Sequence, residues 1–178
     1  MSKEIVMNDF VKYLAVKRFV TDAFNYINNN IVNGALDNVQ LIITEDENKF
    51  SSYMYNYDDK TGAIKNPRIR ICIEEYNCKD DFQTRHYFNE FGLKLEHDYF
   101  VVLLRMLCHE IGHHLTVDIY KDQEEEYMCA LNDLHKYDYG TEERKRAYRM
   151  IPEEYAADEE AVKILSKHLN KLLSLYRD

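Results

Sequence analysis

His109-Glu110-Ile111-Gly112-His113 sets two imidazoles four residues apart, with a carboxylate directly after the first. On an α-helix, residues i and i+4 share a face and lie about 6 Å apart along the axis. Two imidazole nitrogens at that spacing reach one Zn²⁺ at about 2.0–2.1 Å. Glu110 projects to an adjacent face, where it can act on a water at the ion but is badly placed to ligate. The stretch therefore reads as the metal-binding pattern H-E-x-x-H. In a chain this rich in His and Glu, chance yields the pattern roughly 2–3% of the time, so its surroundings must support it.

They do. Asp98 is a suitable N-cap, and Tyr99 to Thr116 contains no proline and one glycine, Gly112. At 100° per residue, Phe100, Leu104, Leu107, Ile111 and Leu115 form one narrow apolar stripe, with His109 and His113 on the opposite side. One face of this helix should pack on a core while the other presents two imidazoles to a cleft.

A catalytic zinc usually takes three protein ligands plus water, and two His with one Glu is a standard set. The third ligand should lie downstream, where Glu154 and Asp158 make the single E-x-x-x-D of the chain. Residues 153–176 read as a long helix with Pro152 in its first turn. Ala161, Leu165, Leu169, Leu172 and Tyr176 form its apolar face, and Glu154 and Asp158 continue that face towards the N-terminus. Carboxylates on a core-facing stripe are costly to bury unless paired, protonated or bound to a metal. Glu154 is thus the expected third ligand. Asp158 is expected to accept the free N–H of a ligand imidazole, that of His109 first, and fix its tautomer. The competing reading is a solvated acidic first turn, favoured by the helix dipole.

With these residues the chain resembles the gluzincin class of zinc metallopeptidases, in which an H-E-x-x-H helix precedes a helix carrying Glu as third ligand, often as E-x-x-x-D. The wording H-E-I-G-H-H-L and E-Y-A-A-D-E-E-A is most similar to compact bacterial or phage enzymes of the ImmA/IrrE type, over about residues 65–175. The 40 residues between His113 and Glu154 make a long insertion for so small a protein. The resemblance implies a zincin-like α+β fold and peptide-bond hydrolysis. It implies Glu110 as general base, and a protein or peptide substrate paired along a strand just upstream of the active helix, here Arg68–Ile73. It also implies a Tyr or His on the far cleft wall that stabilises the oxyanion, with Tyr120, Tyr127, Tyr139, Tyr148 and Tyr155 unranked as candidates. A selective regulatory protease inside a bacterial or phage-infected cell is the expected biology. The alternative is a catalytically silent zincin-fold module that binds an extended partner, and a third reading keeps zinc as a structural ion only. H/H/E ligands also accept Mn²⁺, Co²⁺ or Ni²⁺.

The 178 residues fit a single domain, with a helix and sheet in 1–97 and the active helix and C-terminal helices in 98–178. A formal net charge of −9 repels phosphate backbones and argues against nucleic acid, and with it against SprT-like DNA-repair peptidases. Cys72, Cys78, Cys108 and Cys129 lack metal spacing and suit a reducing cytoplasm; Cys108 is expected in the core. Lys12, Lys17 and Arg18 interrupt any N-terminal apolar run, and Tyr99–Cys108 is too short to span a bilayer, so no membrane role is expected.

Along the chain, residues 5–29 read as an amphipathic helix closed by Asn28-Asn29-Asn30 and Gly34. Val39–Thr44, Phe50–Tyr57 and Arg68–Glu74 read as strands of a small, mostly antiparallel twisted sheet, with Asp58–Gly62 as a turn. Residues 76–97 read as a mixed connection and 121–150 as one or two polar helices. His114 is expected to be hydrogen-bonded and structural, and His135 and His168 structural or exposed.

Overall fold

A computed structural model describes residues 3–46, 49–58, 60–73, 99–119 and 124–176. The chain begins with a long helix, α1 (Lys3–Asn30). Its residues Val16, Phe19, Val20, Ala23 and Ile27 recur at helical spacing and are buried against the core. The asparagines that end α1 do so by side-chain chemistry. Asn28 accepts the Leu36 N–H and donates to Asp37, both at 2.8 Å, while Asn33 and Gly34 take positive φ of 53° and 82°.

Three strands follow: β1 (Gln40–Thr44), β2 (Ser52–Tyr57) and β3 (Ile64–Cys72). The β2–β3 turn has the expected chemistry, with Asp58 accepting the N–H groups of Lys60 and Thr61 at 2.9 and 3.0 Å and Gly62 at φ 66°. Two expectations fail here. The sheet is mixed rather than mostly antiparallel, because β1 pairs parallel to β3 while β2 pairs antiparallel to it. The order is β1-β3-β2, so β3, which holds Arg68–Cys72 of the expected stretch, is central and has no free edge for a substrate among the described residues. Its alternation separates buried Ile69 and Ile71 from half-buried Arg68 and Arg70, but Cys72, expected on the arginine face, is buried where the strand ends. Alternation assigns faces, however, and carries no information on lateral partners. Among the described residues, β2 is the edge strand nearer the site.

Helix α2 (Tyr99–Thr116) packs on this sheet and continues into a 3₁₀ turn (Val117–Ile119). Leu104, Leu107 and Ile111 of the expected stripe are fully buried. Every residue from Val101 to Gly112 is buried too, His109 and Glu110 included, so the helix is covered on both sides. Its expected N-cap, Asp98, and the connection 76–97 lie outside the described residues.

The second cover is α5 (Pro152–Ser174), which makes the most extensive helix contact with α2. Between them come α3 (Glu124–Leu134) and α4 (Glu142–Arg149), the polar helices expected in 121–150. α5 buries Ala157, Ala161, Leu165 and Leu172, whereas expected Tyr176 is half-exposed, with its ring against Phe19 and Phe100. At the α2–α5 crossing the helices touch through backbone. A Cβ on Gly112 would lie 2.3 Å from the Ala157 carbonyl oxygen, so only glycine permits this approach. No described helix is long and apolar enough to cross a membrane.

Candidate metal centre

The Gly112–Ala157 contact sets α2 and α5 at the distance where their polar groups meet. His109 Nε2 lies 3.1 Å from His113 Nε2 and 3.3 Å from Glu154 Oε2, and His113 Nε2 lies 3.7 Å from Glu154 Oε1. Tetrahedral bonds of about 2.0–2.1 Å would set ligand atoms about 3.3–3.4 Å apart. The triangle is therefore already of the size a small divalent cation requires, and His109, His113 and Glu154 form a group that can hold one.

The donor set points the same way. His109 Nδ1 lies 2.6 Å from Asp158 Oδ1, which accepts only if Nδ1 carries the proton. That leaves Nε2 of the neutral ring as a lone pair aimed into the triangle. Without a cation, burial would lower the pKa of His109, but hydrogen bonds to Asp158 and Glu154 outweigh it and raise the pKa to about 9. Burial and the neighbouring His109 push His113 down to about 4. Burial would raise Glu154, yet the two imidazoles and a hydrogen bond from Tyr148 hold it down to about 2. The site therefore retains a positive charge on one imidazole when no ion supplies it.

Glu110 stands beside the triangle and is 6% exposed. Burial lifts its carboxyl to about 7, opposed chiefly by His109, and the Tyr53 backbone N–H is directed at it. That amide lies on the outer edge of β2. The Cys72 N–H points towards β2 to reach Ser51 Oγ at 3.0 Å, so the Ser52–Arg70 pair is hydrogen-bonded and Tyr53, one residue on, faces outward.

Two further side chains reach the site from the long insertion. Tyr148 donates to Glu154 Oε1 at 2.6 Å. Arg149 donates from one nitrogen to both Asp158 oxygens at 3.0 and 2.8 Å, and lies 3.7 Å from Glu154. The arrangement around α4 holds them there. Thr141 caps its start, accepting the Arg144 N–H, and Arg144 donates to the Leu134 and Tyr137 carbonyls at 3.0 Å each, tying α4 to the end of α3.

The structure thus brings together His109, Glu110, His113, Glu154 and Asp158. Of the five tyrosine candidates it brings Tyr148 to the centre; Tyr139 is 91% exposed, Tyr155 is exposed on α5, and Tyr120 lies outside the described residues. Arg149 and Tyr53 carry no cue in the sequence, the first being one of four cations in 144–149 and the second one aromatic in an alternating strand. His114 is structural as expected, between the Tyr53 hydroxyl at 2.9 Å and the Ala35 carbonyl at 3.1 Å. Cys108 is fully buried and its thiol is pushed up by burial.

Asp158 has two roles in this geometry, orienting His109 and anchoring Arg149. Replacing a hydrogen-bond partner of a ligand imidazole typically costs about 10–100-fold in metal affinity. Asp158→Asn is expected to fall in that range in a chelator competition titration, with the helical circular-dichroism signal retained. Wild-type affinity in the variant would remove Asp158 from the site.

Comparison with protein-family models, curated proteins and solved structures gives no match to this chain.

Proposed function

We propose that the chain is a zinc-dependent peptidase of zincin-like fold and gluzincin type, cleaving a protein or peptide substrate. The observation that carries this reading is the 3.1–3.7 Å triangle of His109, His113 and Glu154 with the buried Glu110 carboxyl beside it. Zn²⁺ held there supplies Lewis acidity, lowering the pKa of a water and polarising the scissile carbonyl. Glu110 takes the proton of the attacking water on its carboxylate and returns it to the leaving amine. Asp158 keeps the His109 proton on Nδ1, and Arg149, donating to both Asp158 oxygens, holds that carboxylate in place. Tyr148 orients Glu154 through its 2.6 Å hydrogen bond, and its hydroxyl is the candidate donor we assign to charge developing on the carbonyl oxygen. The outer edge of β2, with Tyr53 opposite Glu110, gives an extended substrate backbone something to pair with. A selective regulatory role inside the cell, in the manner of ImmA/IrrE-type enzymes, fits the acidic chain and buried site.

Metal content tests the ligand set most directly. Protein purified without added metal is expected to carry about one zinc per chain, and Glu154→Ala and His113→Ala to lose it. Unchanged occupancy and affinity in Glu154→Ala would remove the third ligand and the reading built on it.

A further inference from the structure

A cleft opens beside His113, between β2 and the C-terminal end of α2, and the metal triangle does not use it. Tyr53, Tyr55 and Tyr57 alternate along β2, and their rings form a row with centroids 5.2 and 4.9 Å apart. Val117 lies across from them, and Glu153 comes in from the first turn of α5. Glu153 is half-buried and has no ion-pair or hydrogen-bond partner among the described residues. Although adjacent to Glu154, it lines the cleft rather than the triangle. Its charge is felt at Tyr55, so one acid borders the ring row. No described Lys or Arg lines the space.

We propose that this cleft is a substrate subsite for a cationic side chain, arginine or lysine, of a residue next to the scissile bond. This rests on the peptidase reading and deepens it to a substrate class. The Glu153 carboxylate, and any tyrosine face turned to an occupant, present the same sign of field, and both favour a cation. A long basic side chain can lay its methylenes along the tyrosines while its head reaches Glu153. An apolar occupant would strip water from the Glu153 carboxylate with nothing in return, and an acidic one would meet it directly. His113 is both a wall of the cleft and a corner of the triangle, so an occupant sits within a residue or two of the reacting carbonyl.

The test has two arms. In the first, the zinc-loaded enzyme digests a library of peptides generated by cleavage after acidic residues, which leaves internal Arg and Lys intact, and new termini are read by mass spectrometry. Arg and Lys are expected about 5-fold or more enriched at one position within two residues of the cut, with the enrichment lost in Glu153→Gln. In the second, acetyl-arginine methylamide and its neutral citrulline counterpart are titrated by NMR into zinc-loaded Glu110→Gln and into the Glu110→Gln/Glu153→Gln double variant. Arginine is expected to bind about 5-fold tighter than citrulline in the first protein and equally in the second. Cleavage without a basic preference, or a preference that survives Glu153→Gln, overturns the subsite and leaves the peptidase standing. Absence of any cleavage together with the arginine preference in binding overturns the peptidase and keeps the cationic cleft. Equal binding of the two probes to Glu110→Gln overturns the cleft whatever the first arm gives.

Discussion

Gly112→Ala is expected to weaken metal binding about 100-fold or more and to lower thermal stability, although alanine is the better helix former. Propensity alone would favour the variant by about 1 kcal/mol. Against this, the new Cβ would sit 2.3 Å from the Ala157 carbonyl oxygen, 2.7 Å from its Cα and 2.8 Å from its carbonyl carbon. All three are backbone atoms of α5, so no side-chain rotation relieves the contact and the helices must separate by on the order of 1 Å, at a typical overpacking cost of roughly 1–3 kcal/mol. The same movement widens the triangle, because His109 and His113 belong to α2 and Glu154 to α5. Bonds of about 2.0–2.1 Å do not stretch across such a gap. Chelator competition and a thermal melt of the metal-free protein read the two effects separately. A second change, Ala157→Gly, should fail to rescue either, since the clashing atoms remain. Tight metal binding and an unshifted melting temperature in Gly112→Ala would show that the helix approach does not set the site.

This dependence explains what could be read from the chain and what could not. His109, Glu110 and His113 are spaced by a single helix, and Glu154 and Asp158 by another, so each set follows from a local period of 3.6. Placing Glu154 against the histidines needs one further step, that a carboxylate on a core-facing stripe must find a cation. Helix α2 is apolar almost all round, as a buried helix requires, but which element covers its histidine side is not legible in its own sequence. Nor is the central position of β3. Ile69 and Ile71 announce a buried face, but β1 reaches β3 in parallel through a long-range pairing that leaves no periodic trace. Tyr148 and Arg149 are hidden for a related reason. Their approach to Glu154 and Asp158 depends on Arg144 fastening α4 to the carbonyls of Leu134 and Tyr137, and on the reversal into Pro152. Neither feature has a spacing that a sequence window can detect.

Glu110→Gln should abolish peptide hydrolysis while keeping the metal, with kcat falling about 10²–10⁴-fold. Gln has nearly the shape of Glu and can still accept from the Tyr53 N–H, so the cleft wall is preserved. It cannot take a proton at neutral pH, and that is the role assigned to the carboxylate. The ligand atoms of His109, His113 and Glu154 are untouched, so zinc occupancy should match wild type, which separates this variant from His113→Ala. Stability supplies an independent sign. Burial raises the Glu110 carboxyl from its ordinary value of 4.5 to about 7, so its protonated form suits the fold and its ionised form opposes it. That contribution is fully present below about pH 4.5 and is lost as pH rises through 7. Metal-free Glu110→Gln should therefore match wild type near pH 4 and melt above it by pH 8, a difference that reversed sign would contradict. If the variant instead retained full activity on a verified substrate, proton transfer would have to reside elsewhere. If wild type and variant both bound peptide without cleaving it, Glu110 would be a buried acid at a recognition surface, and the chain a binding module that kept its metal.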